Sequence, residues 1–356
     1  MKVGSLFTGY GGLDIAVGGE LAWYAEIDKA ACEVLAHHYP GVPNLGDITM
    51  IDWTQVEPVD VLTGGYPCQP FSHAGLRKGK NDARHLWPHV KDAIHTLRPE
   101  YSILENVSGH LTLGFASVLS DLATIGFDAE WGTFRTSSVG ATHQRKRLFI
   151  IAYPSRGAGG TGSGWDHQES ERSTGLATHT GSPTTDTQHD GFATSEKRRS
   201  IRESIAQGWG VKQERNQWEF EGSSSSQPIA DTDSDGHGEQ LHSRRMASVE
   251  EQAESSAQQR EWSRGKSNPR SHWGKYEFAV NRWQEIVGRE VPEPTITVDT
   301  KRKLNPIFVE WMMGLDEGHV TGHGLSRAQE LKMLGNGVVP QQARAAVAQL
   351  MERIPA

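Results

Sequence analysis

The stretch that decides the fold is Val3-Gly4-Ser5-Leu6-Phe7-Thr8-Gly9-Tyr10-Gly11-Gly12-Leu13. A short apolar run of strand length ends in closely spaced glycines, and a segment with helical spacing follows it over 13–17. Glycines after a strand let a ligand approach the backbone and the start of the next helix. The pattern predicts the first strand–turn–helix unit of an open α/β sheet.

The same alternation continues outward from this stretch as far as residue 153. It predicts further strands at 21–27, 59–63, 101–104 and 148–153, and further helices at 28–37, 87–97 and 115–125. Strands and helices that alternate at this spacing predict a doubly wound, mostly parallel α/β sheet. Ligands bind such a sheet at the carboxyl ends of its strands.

Composition excludes several classes of protein. The 36 Lys and Arg against 44 Asp and Glu give a net charge of -8, which excludes nucleic-acid binding through bulk positive charge but not through a local basic cleft. Two cysteines form neither a disulfide framework nor a Cys-rich zinc site, and the scattered histidines lack metal-ligand spacing, so we expect no metal. With no apolar run of about 20 residues and no signal peptide, we expect no membrane contact and a cytoplasmic location.

The middle of the chain has a different composition. Between 155 and 270, only 14 of 116 residues are Ile, Leu, Val, Met, Phe, Trp or Tyr. That share lies below the roughly 20% at which a chain struggles to bury enough apolar surface to order itself. We therefore predict a solvated, polar, disordered insertion at about 155–270. Helical spacing returns at 304–313 and 341–353, and the last segment has an apolar stripe that needs a distant surface to cover it.

Chemically reactive side chains follow two of the predicted strands and precede a third, the strand at 148–153. They are a thiol between two prolines, a carboxyl and two guanidinium groups: Cys68, Glu105, Arg145 and Arg147. Such a set, converging on one crevice, suits conjugate addition to an electron-poor ring. The thiolate attacks, the carboxyl donates a proton to the ring nitrogen, and an arginine holds the carbonyl oxygen.

Two other strand ends suit an adenosine-containing ligand. Glu26 ends the second predicted strand, where an acidic side chain can accept from ribose hydroxyls. Asp47 and Ile48, at a third predicted strand end, suit an adenine amino group and ring face. No Walker-type lysine is present, so phosphates are not the implied ligand.

Taken in the order in which they occur along the chain, the sequence motifs resemble those of the DNA (cytosine-5) methyltransferases. The cofactor motifs are Phe7-Thr8-Gly9-Tyr10-Gly11-Gly12-Leu13, Glu26-Ile27-Asp28, Gly46-Asp47-Ile48 and Gly335-Asn336-Gly337-Val338. The catalytic motifs are Pro67-Cys68-Gln69-Pro70-Phe71-Ser72, Glu105-Asn106-Val107 and Gly140-Ala141-Thr142-His143-Gln144-Arg145-Lys146-Arg147-Leu148-Phe149. One departure is His143, where the family usually has Gln.

The resemblance implies a Rossmann-like, S-adenosylmethionine-dependent enzyme with a second, smaller target-recognition domain. The catalytic and cofactor-binding domain would comprise 1–153 and 326–356, and the target-recognition region 154–325, including the polar insertion. The implied cofactor-binding residues are Phe7, Gly9, Gly11, Gly12, Leu13, Glu26, Ile27, Asp47, Ile48, Pro67, Asn336 and Val338. The implied substrate-binding residues are Gln69, Ser72, Asn106 and Val107.

The resemblance also implies a mechanism. Cys68 would add to C6 of a cytosine flipped out of duplex DNA while Glu105 protonates N3, and C5 would then take the methyl group. We expect Arg145 to orient the base and Cys68, with Arg147 in a supporting role.

The implied partner is double-stranded DNA, and the implied biology is restriction-modification or protection of a phage from restriction. A cognate restriction endonuclease would be a functional rather than a physical partner. We expect a monomer, in the bacterial cytoplasm or in the host cytoplasm if the chain is phage-encoded.

Two alternatives stay open, an RNA cytosine-5 methyltransferase and a catalytically inactive DNA-binding relative. An amino-methyltransferase would carry an Asp- or Ser-Pro-Pro-aromatic loop in place of Pro67-Cys68-Gln69.

Overall fold

The structure, a computed structural model, describes residues 1–67, 86–155, 190–208 and 273–355. Its strands are β1 Lys2–Leu6, β2 Glu20–Ala25, β3 Val61–Gly64, β4 Tyr101–Val107, β5 Phe127–Arg135, β6 Lys146–Pro154, β7 Thr295–Val298 and β8 Lys301–Leu304. Its helices are α1 Gly12–Val17, α2 Lys29–His38, α3 Trp87–Leu97, α4 Phe115–Thr124, α5 Asp190–Gly208, α6 Glu277–Val287, α7 Pro306–Met312, α8 Arg327–Asn336 and α9 Pro340–Met351. No helix of these four ranges is long and apolar enough to cross a membrane.

The central sheet has the strand order β2-β1-β3-β4-β6-β5. The first four strands run parallel, whereas β6 runs antiparallel to both β4 and β5. Strands β7 and β8 form a separate antiparallel hairpin. The predicted mostly parallel α/β sheet is confirmed.

The two faces of the sheet are covered by different helices. Leu6, Leu62 and Leu104 belong to a core that includes the apolar sides of α3 and α4. Their strand neighbours of opposite parity point to the other face, where Val61 and Ile103 pack with α1 and α9. This alternation follows from the two-residue period of a strand, and it makes the sheet doubly wound.

The last helix, α9, docks far from its neighbours in sequence. Its apolar stripe, Ala343, Ala346, Val347 and Leu350, is fully buried against α1, β5 and β6. Pro340 occupies the first turn of the helix, where its missing N–H costs nothing. The expectation that this stripe needs a distant surface is confirmed.

The structure differs from the strand predictions in two places. No strand leads into Asp47 and Ile48, since only an isolated bridge joins Tyr24 to Asn44 and Asp47 caps a short 3-10 helix. Strand β5 was not predicted at all. It lies at the edge of the sheet, and of its nine residues only Phe127 and Phe134 are buried, which leaves little alternation to detect.

The prediction of a disordered insertion at 155–270 is wrong for 190–208, which form α5. Ile201 and Ile205 of this helix are buried in the same core as Tyr101 and Tyr153. Arg198 pairs with Glu100 at 3.1 Å, just before β4 begins. The two isoleucines lie four residues apart, so they share one face of the helix and pack together against the core. The helix packs at the amino ends of β3 and β4.

Replacing Ile205 by Ala should lower the free energy of unfolding by about 2–4 kcal/mol, because the change leaves a cavity between α5 and the sheet. Urea denaturation followed by circular dichroism measures the difference. Glu203→Ala, on the exposed side of the same helix, is the matched control and should change stability by less than about 0.5 kcal/mol. Equal effects of the two changes would show that α5 does not contribute to the stability of the folded core.

Candidate functional site

A cavity of about 590 Å³ opens where β1, β2, β3 and β4 end. Most of the predicted site residues that the structure describes lie in its wall. From the predicted cofactor set these are Phe7, Gly9, Gly12, Leu13, Glu26, Pro67, Asn336 and Val338, and from the predicted catalytic and substrate sets Glu105, Arg147, Asn106 and Val107.

Five predicted residues are not among those that line this cavity. Gly11 is the left-handed residue before α1, with φ of 80°, and Ile27 is exposed at the end of β2. Asp47 accepts hydrogen bonds from the backbone and side chain of Thr49, and Ile48 is buried in the core beneath. The fifth, Arg145, is used elsewhere, as described below.

Cys68, Gln69 and Ser72 lie outside the described residues, so their predicted roles stay predictions. The described part of their loop ends at Pro67, in the cavity wall. Asn106 Nδ2 donates to the carbonyl of Tyr66 at 3.1 Å, and Val107 N donates to Asn106 Oδ1 at 2.8 Å. Asn106 therefore ties the chain that leads into Cys68 to the end of β4.

Glu26 organises the backbone around the cavity. Its Oε2 accepts from the N–H of Gly9 at 2.8 Å, and its Oε1 accepts from the N–H groups of Ile27 and Asp28, also at 2.8 Å. Each carboxylate oxygen has about two acceptor positions, so Oε2 keeps one for a ligand. Glu26 thus links the glycine loop after β1 to the end of β2, in addition to its predicted role toward a ribose.

The glycine loop interlocks with the segment after α8. Tyr10 is fully buried, and its hydroxyl donates to the carbonyl of Val338 at 2.7 Å. A Cβ on Gly337 would lie 1.8 Å from the Tyr10 ring, and a Cβ on Gly12 would lie 2.3 Å from the Val338 oxygen. Glycine is required at both positions because the two segments pass this close.

Arg145 holds that same segment. Its guanidinium donates through Nη1 to the carbonyl of Gly335 and through Nη2 to that of Gly337, both at 2.7 Å. Burial lowers the pKa of Arg145, with Arg147 adding to the effect. Two of the five guanidinium N–H groups thus hold the segment of the cavity wall that carries Asn336. This geometry favours a structural role for Arg145 over its predicted role of orienting a base.

Glu105 and Arg147 form the charged pair in the cavity wall. The two side chains meet at 2.8 Å between Glu105 Oε1 and Arg147 Nε, and the Glu105 carboxyl is 8% exposed. Burial raises the pKa of Glu105, although Arg147 and Arg145 oppose the shift. A carboxyl whose pKa is raised by burial holds its proton more readily and is suited to act as a proton donor.

His143, where the family usually has Gln, is neutral at pH 7. Burial and the two neighbouring arginines lower its pKa to about 4. Neither ring nitrogen has a hydrogen-bond partner among the described residues. The same part of the chain holds no group of three or more Asp, Glu, His or Cys side chains arranged for a metal ion, and the absence of a metal stays a prediction.

Sequence reasoning missed a polar cluster in the cavity wall. Ser5, Asp14 and Thr63 lie there, all of them buried. The available signal was Asp14, a carboxylate in the otherwise apolar segment Gly12-Leu13-Asp14-Ile15-Ala16-Val17.

Known proteins resemble this chain over its first part and in its fold. It is 36% identical to the type II methyltransferase M.HgiBI of Herpetosiphon aurantiacus over 157 residues, 41% of this chain and 36% of that protein. It is 32% identical to the orphan methyltransferase M.SPRI of Bacillus phage SPR over 163 residues, 42% of this chain and 37% of that protein. The matches therefore span little more than a third of the length of these relatives.

One crystal structure, of S. pombe Dnmt2 methyltransferase, matches 99% of this chain and 99% of its own length, with a TM-score of 0.51 at 14% identity, and supports the fold. The family model for C-5 cytosine-specific DNA methylase matches residues 1–352. That match takes in the glycine loop, the Glu105–Arg147 pair and the segment held by Arg145, and the chain belongs to the C-5 cytosine-specific DNA methylase family.

Proposed function

We propose that this protein transfers a methyl group from S-adenosylmethionine to C5 of a cytosine in duplex DNA. The observation that carries the proposal is the buried Glu105–Arg147 pair in the wall of the cavity. The chemistry needs a proton donor for the ring nitrogen and a cation for the adjacent carbonyl oxygen, and the pair offers both at one strand end.

The residues around the cavity suit S-adenosylmethionine as the methyl donor. The glycines of residues 9–12 let a ligand approach the backbone, and Glu26 retains an acceptor for a ribose hydroxyl. Phe7 and Leu13 add apolar surface, and Asn336 adds a side-chain amide on the opposite wall. When bound, the donor supplies an electrophilic methyl group.

Each residue then has a separate task. Cys68 attacks C6 of the flipped base, and Glu105 donates a proton to N3 as the ring gains electrons. C5 then takes the methyl group, after which a base removes the C5 proton and the bond between Cys68 and C6 breaks. Arg147, already beside Glu105, holds the carbonyl oxygen of the base. Arg145 instead positions the wall that carries Asn336. These roles of the two arginines are the reverse of those expected from the sequence.

Lysine replacements should separate the two arginines. Arg145→Lys cannot satisfy both carbonyls, so we expect S-adenosylmethionine to bind about tenfold more weakly, with kcat within about threefold of wild type at saturating donor. Arg147→Lys should leave donor binding near wild type and lower kcat at least about 100-fold. Calorimetry gives the affinities and steady-state assays give kcat. Indistinguishable profiles for the two variants would refute this division of roles.

The β7–β8 hairpin is the described surface that best fits a DNA backbone. It carries Lys301, Arg302 and Lys303 within one strand, with Asp299 as the acidic residue at the turn. Arg327 at the start of α8 donates to the carbonyl of Leu304 at 3.1 Å, which connects the hairpin to a helix of the cavity wall. In a chain of net charge -8, such a cluster offers the local positive potential that phosphates require.

Replacing Lys301 and Arg302 together by Ala should weaken DNA binding and make it less sensitive to salt. The slope of log affinity against log salt is negative, and its magnitude should fall by about 1.8, because each lost phosphate contact contributes about 0.9. Fluorescence anisotropy at several salt concentrations measures the slope. Lys197→Ala is the control, since Lys197 pairs with Asp60 at the opposite end of the sheet. An unchanged slope in the double variant would place the phosphate contacts elsewhere.

Transfer of tritiated methyl groups to DNA and to RNA tests the proposed function. Incorporation into duplex DNA alone supports it, incorporation into RNA alone supports the RNA-acting alternative, and none into either supports an inactive relative. Bisulfite sequencing of DNA from cells that express the protein then identifies the methylated sequence.

We further propose a monomeric, cytoplasmic enzyme of restriction-modification or of phage protection, with any cognate endonuclease as a functional partner.

A further inference from the structure

Asp14 is a buried carboxylate in the cavity wall to which the proposed reaction assigns no role. It is 8% exposed and lies on α1 between β1 and β3. The Ser5 hydroxyl donates to Oδ2 at 2.9 Å and the Thr63 hydroxyl donates to Oδ1 at 2.5 Å. The Thr8 hydroxyl in turn donates to Ser5 Oγ at 3.0 Å. The hydroxyls of Thr8, Ser5 and Thr63 thus form a hydrogen-bonded network around the carboxylate, in which Thr8 and Thr63 also reach the carbonyls of Ser5 at 3.4 Å and Gly4 at 3.3 Å.

This arrangement supports a negative charge that lacks a counter-ion. Burial raises the pKa of Asp14 to about 6, whereas the bonds from Thr63 and Ser5 oppose the rise. A carboxyl with that pKa is about nine-tenths ionised at pH 7. Within the described ranges no Lys, Arg or His pairs with it. A buried, unpaired charge is costly, and a cationic ligand in the adjoining cavity removes that cost.

We propose that Asp14 is the counter-ion for a cationic centre of the bound methyl donor. This inference rests on the proposed use of S-adenosylmethionine, which carries a sulfonium and an α-ammonium group. The product S-adenosylhomocysteine keeps the ammonium but has lost the sulfonium charge, and 5′-methylthioadenosine has neither. If the sulfonium is the partner, methyl transfer itself removes the attraction, and Asp14 favours exchange of product for fresh donor.

Calorimetry of Asp14→Asn with these three ligands tests the proposal. We expect the dissociation constant for S-adenosylmethionine to rise about 10- to 100-fold, the scale of losing one partly buried charge pair. Binding of 5′-methylthioadenosine should stay within about twofold of wild type. A loss confined to S-adenosylmethionine identifies the sulfonium, and an equal loss for S-adenosylhomocysteine identifies the ammonium. The control is Asp92→Asn, which removes the same charge from an exposed position on α3. It should leave all three affinities unchanged.

A second measurement needs no variant. Because a cation favours ionised Asp14, binding of S-adenosylmethionine to wild type at pH 6 should release protons, seen as a buffer-dependent heat. Two titratable groups near Asp14, Tyr39 and Arg344, stay in one protonation state at that pH. Burial raises the pKa of Tyr39 to about 12, and Arg344, which donates to the carbonyl of Ile15, remains protonated. The control is 5′-methylthioadenosine, which enters the same cavity beside Glu26 and Glu105 but carries no cation. Its binding should release no protons.

Two outcomes overturn the role of Asp14. The first is that the Asp14→Asn variant shows no selective loss, so that its affinities for the three ligands are all unchanged or all equally lowered. The second is that S-adenosylmethionine and 5′-methylthioadenosine release equal numbers of protons on binding. Wild type that fails to bind S-adenosylmethionine at all would instead refute the proposed function. The two failures are therefore distinguishable.

Discussion

Replacing Cys68 by Ser should lower methyl transfer by at least about three orders of magnitude. A hydroxyl is neutral at pH 7 and is a far poorer nucleophile than a thiolate, so the covalent step at C6 is lost. The rate is measured as tritium transferred from the labelled donor to duplex DNA. Binding of the donor should be unaffected, because the change leaves the described cavity wall intact.

Cys32→Ser is the matched control for this prediction. Cys32 is the chain's other cysteine, a half-buried residue of α2 whose Sγ donates to the carbonyl of Glu26 at 3.4 Å. A serine can make the same bond, and we expect activity within about threefold of wild type. Duplexes that carry 5-fluorocytosine should trap wild type and Cys32→Ser covalently, since fluorine cannot leave as a proton. Trapping by Cys68→Ser would rule out Cys68 as the nucleophile.

Glu105→Gln should lower kcat by about two to four orders of magnitude, the range for loss of a positioned general acid. Glutamine keeps the shape of the side chain and an oxygen for Arg147, so DNA and donor should bind near wild-type affinity. The pH dependence has a defined sign. Because burial raises the pKa of Glu105, the protonated form persists above the usual range, and wild-type activity should decline as pH rises through that raised pKa.

The residual activity of the Gln variant should lack this decline. Single-turnover rates across pH, with saturating donor, separate the chemical step from product release. Asn106→Asp, at the adjacent position, serves as a comparison because it alters the bond to Tyr66 without touching the proton donor. A Glu105→Gln variant that retains both its rate and the wild-type pH profile would exclude Glu105 as the acid.

Local patterns predicted much of the fold because they report local physics. The glycine loop was readable from its spacing, and the helix predicted at 28–37 is α2, capped by Asp28, whose side chain accepts from the N–H groups of Ala30 and Ala31. Helix α3 has the predicted bounds, Trp87–Leu97. In each case the residues that determine the structure lie within a few positions of one another.

The errors have the opposite character. The sequence led us to expect Arg145 to orient the base, but the carbonyls that engage Arg145 lie 190 and 192 residues away. Likewise, Ile201 and Ile205 of α5 are buried, and their partners belong to distant parts of the chain. No periodicity within a segment can report a partner at that separation.

The bond from Tyr10 to Val338 spans 328 positions, and this has a consequence for synthesis of the protein. A ribosome adds about 5–20 residues per second, so the interval between residues 153 and 340 lasts about 10–40 s. During that interval α9 has not yet been made. The apolar face of the sheet that α9 covers in the folded protein, including Phe149 and Ile151, is therefore exposed. The nascent chain thus exposes this apolar face until α9 has been synthesised, and slower translation of residues 153–340 should increase its aggregation by prolonging the exposure.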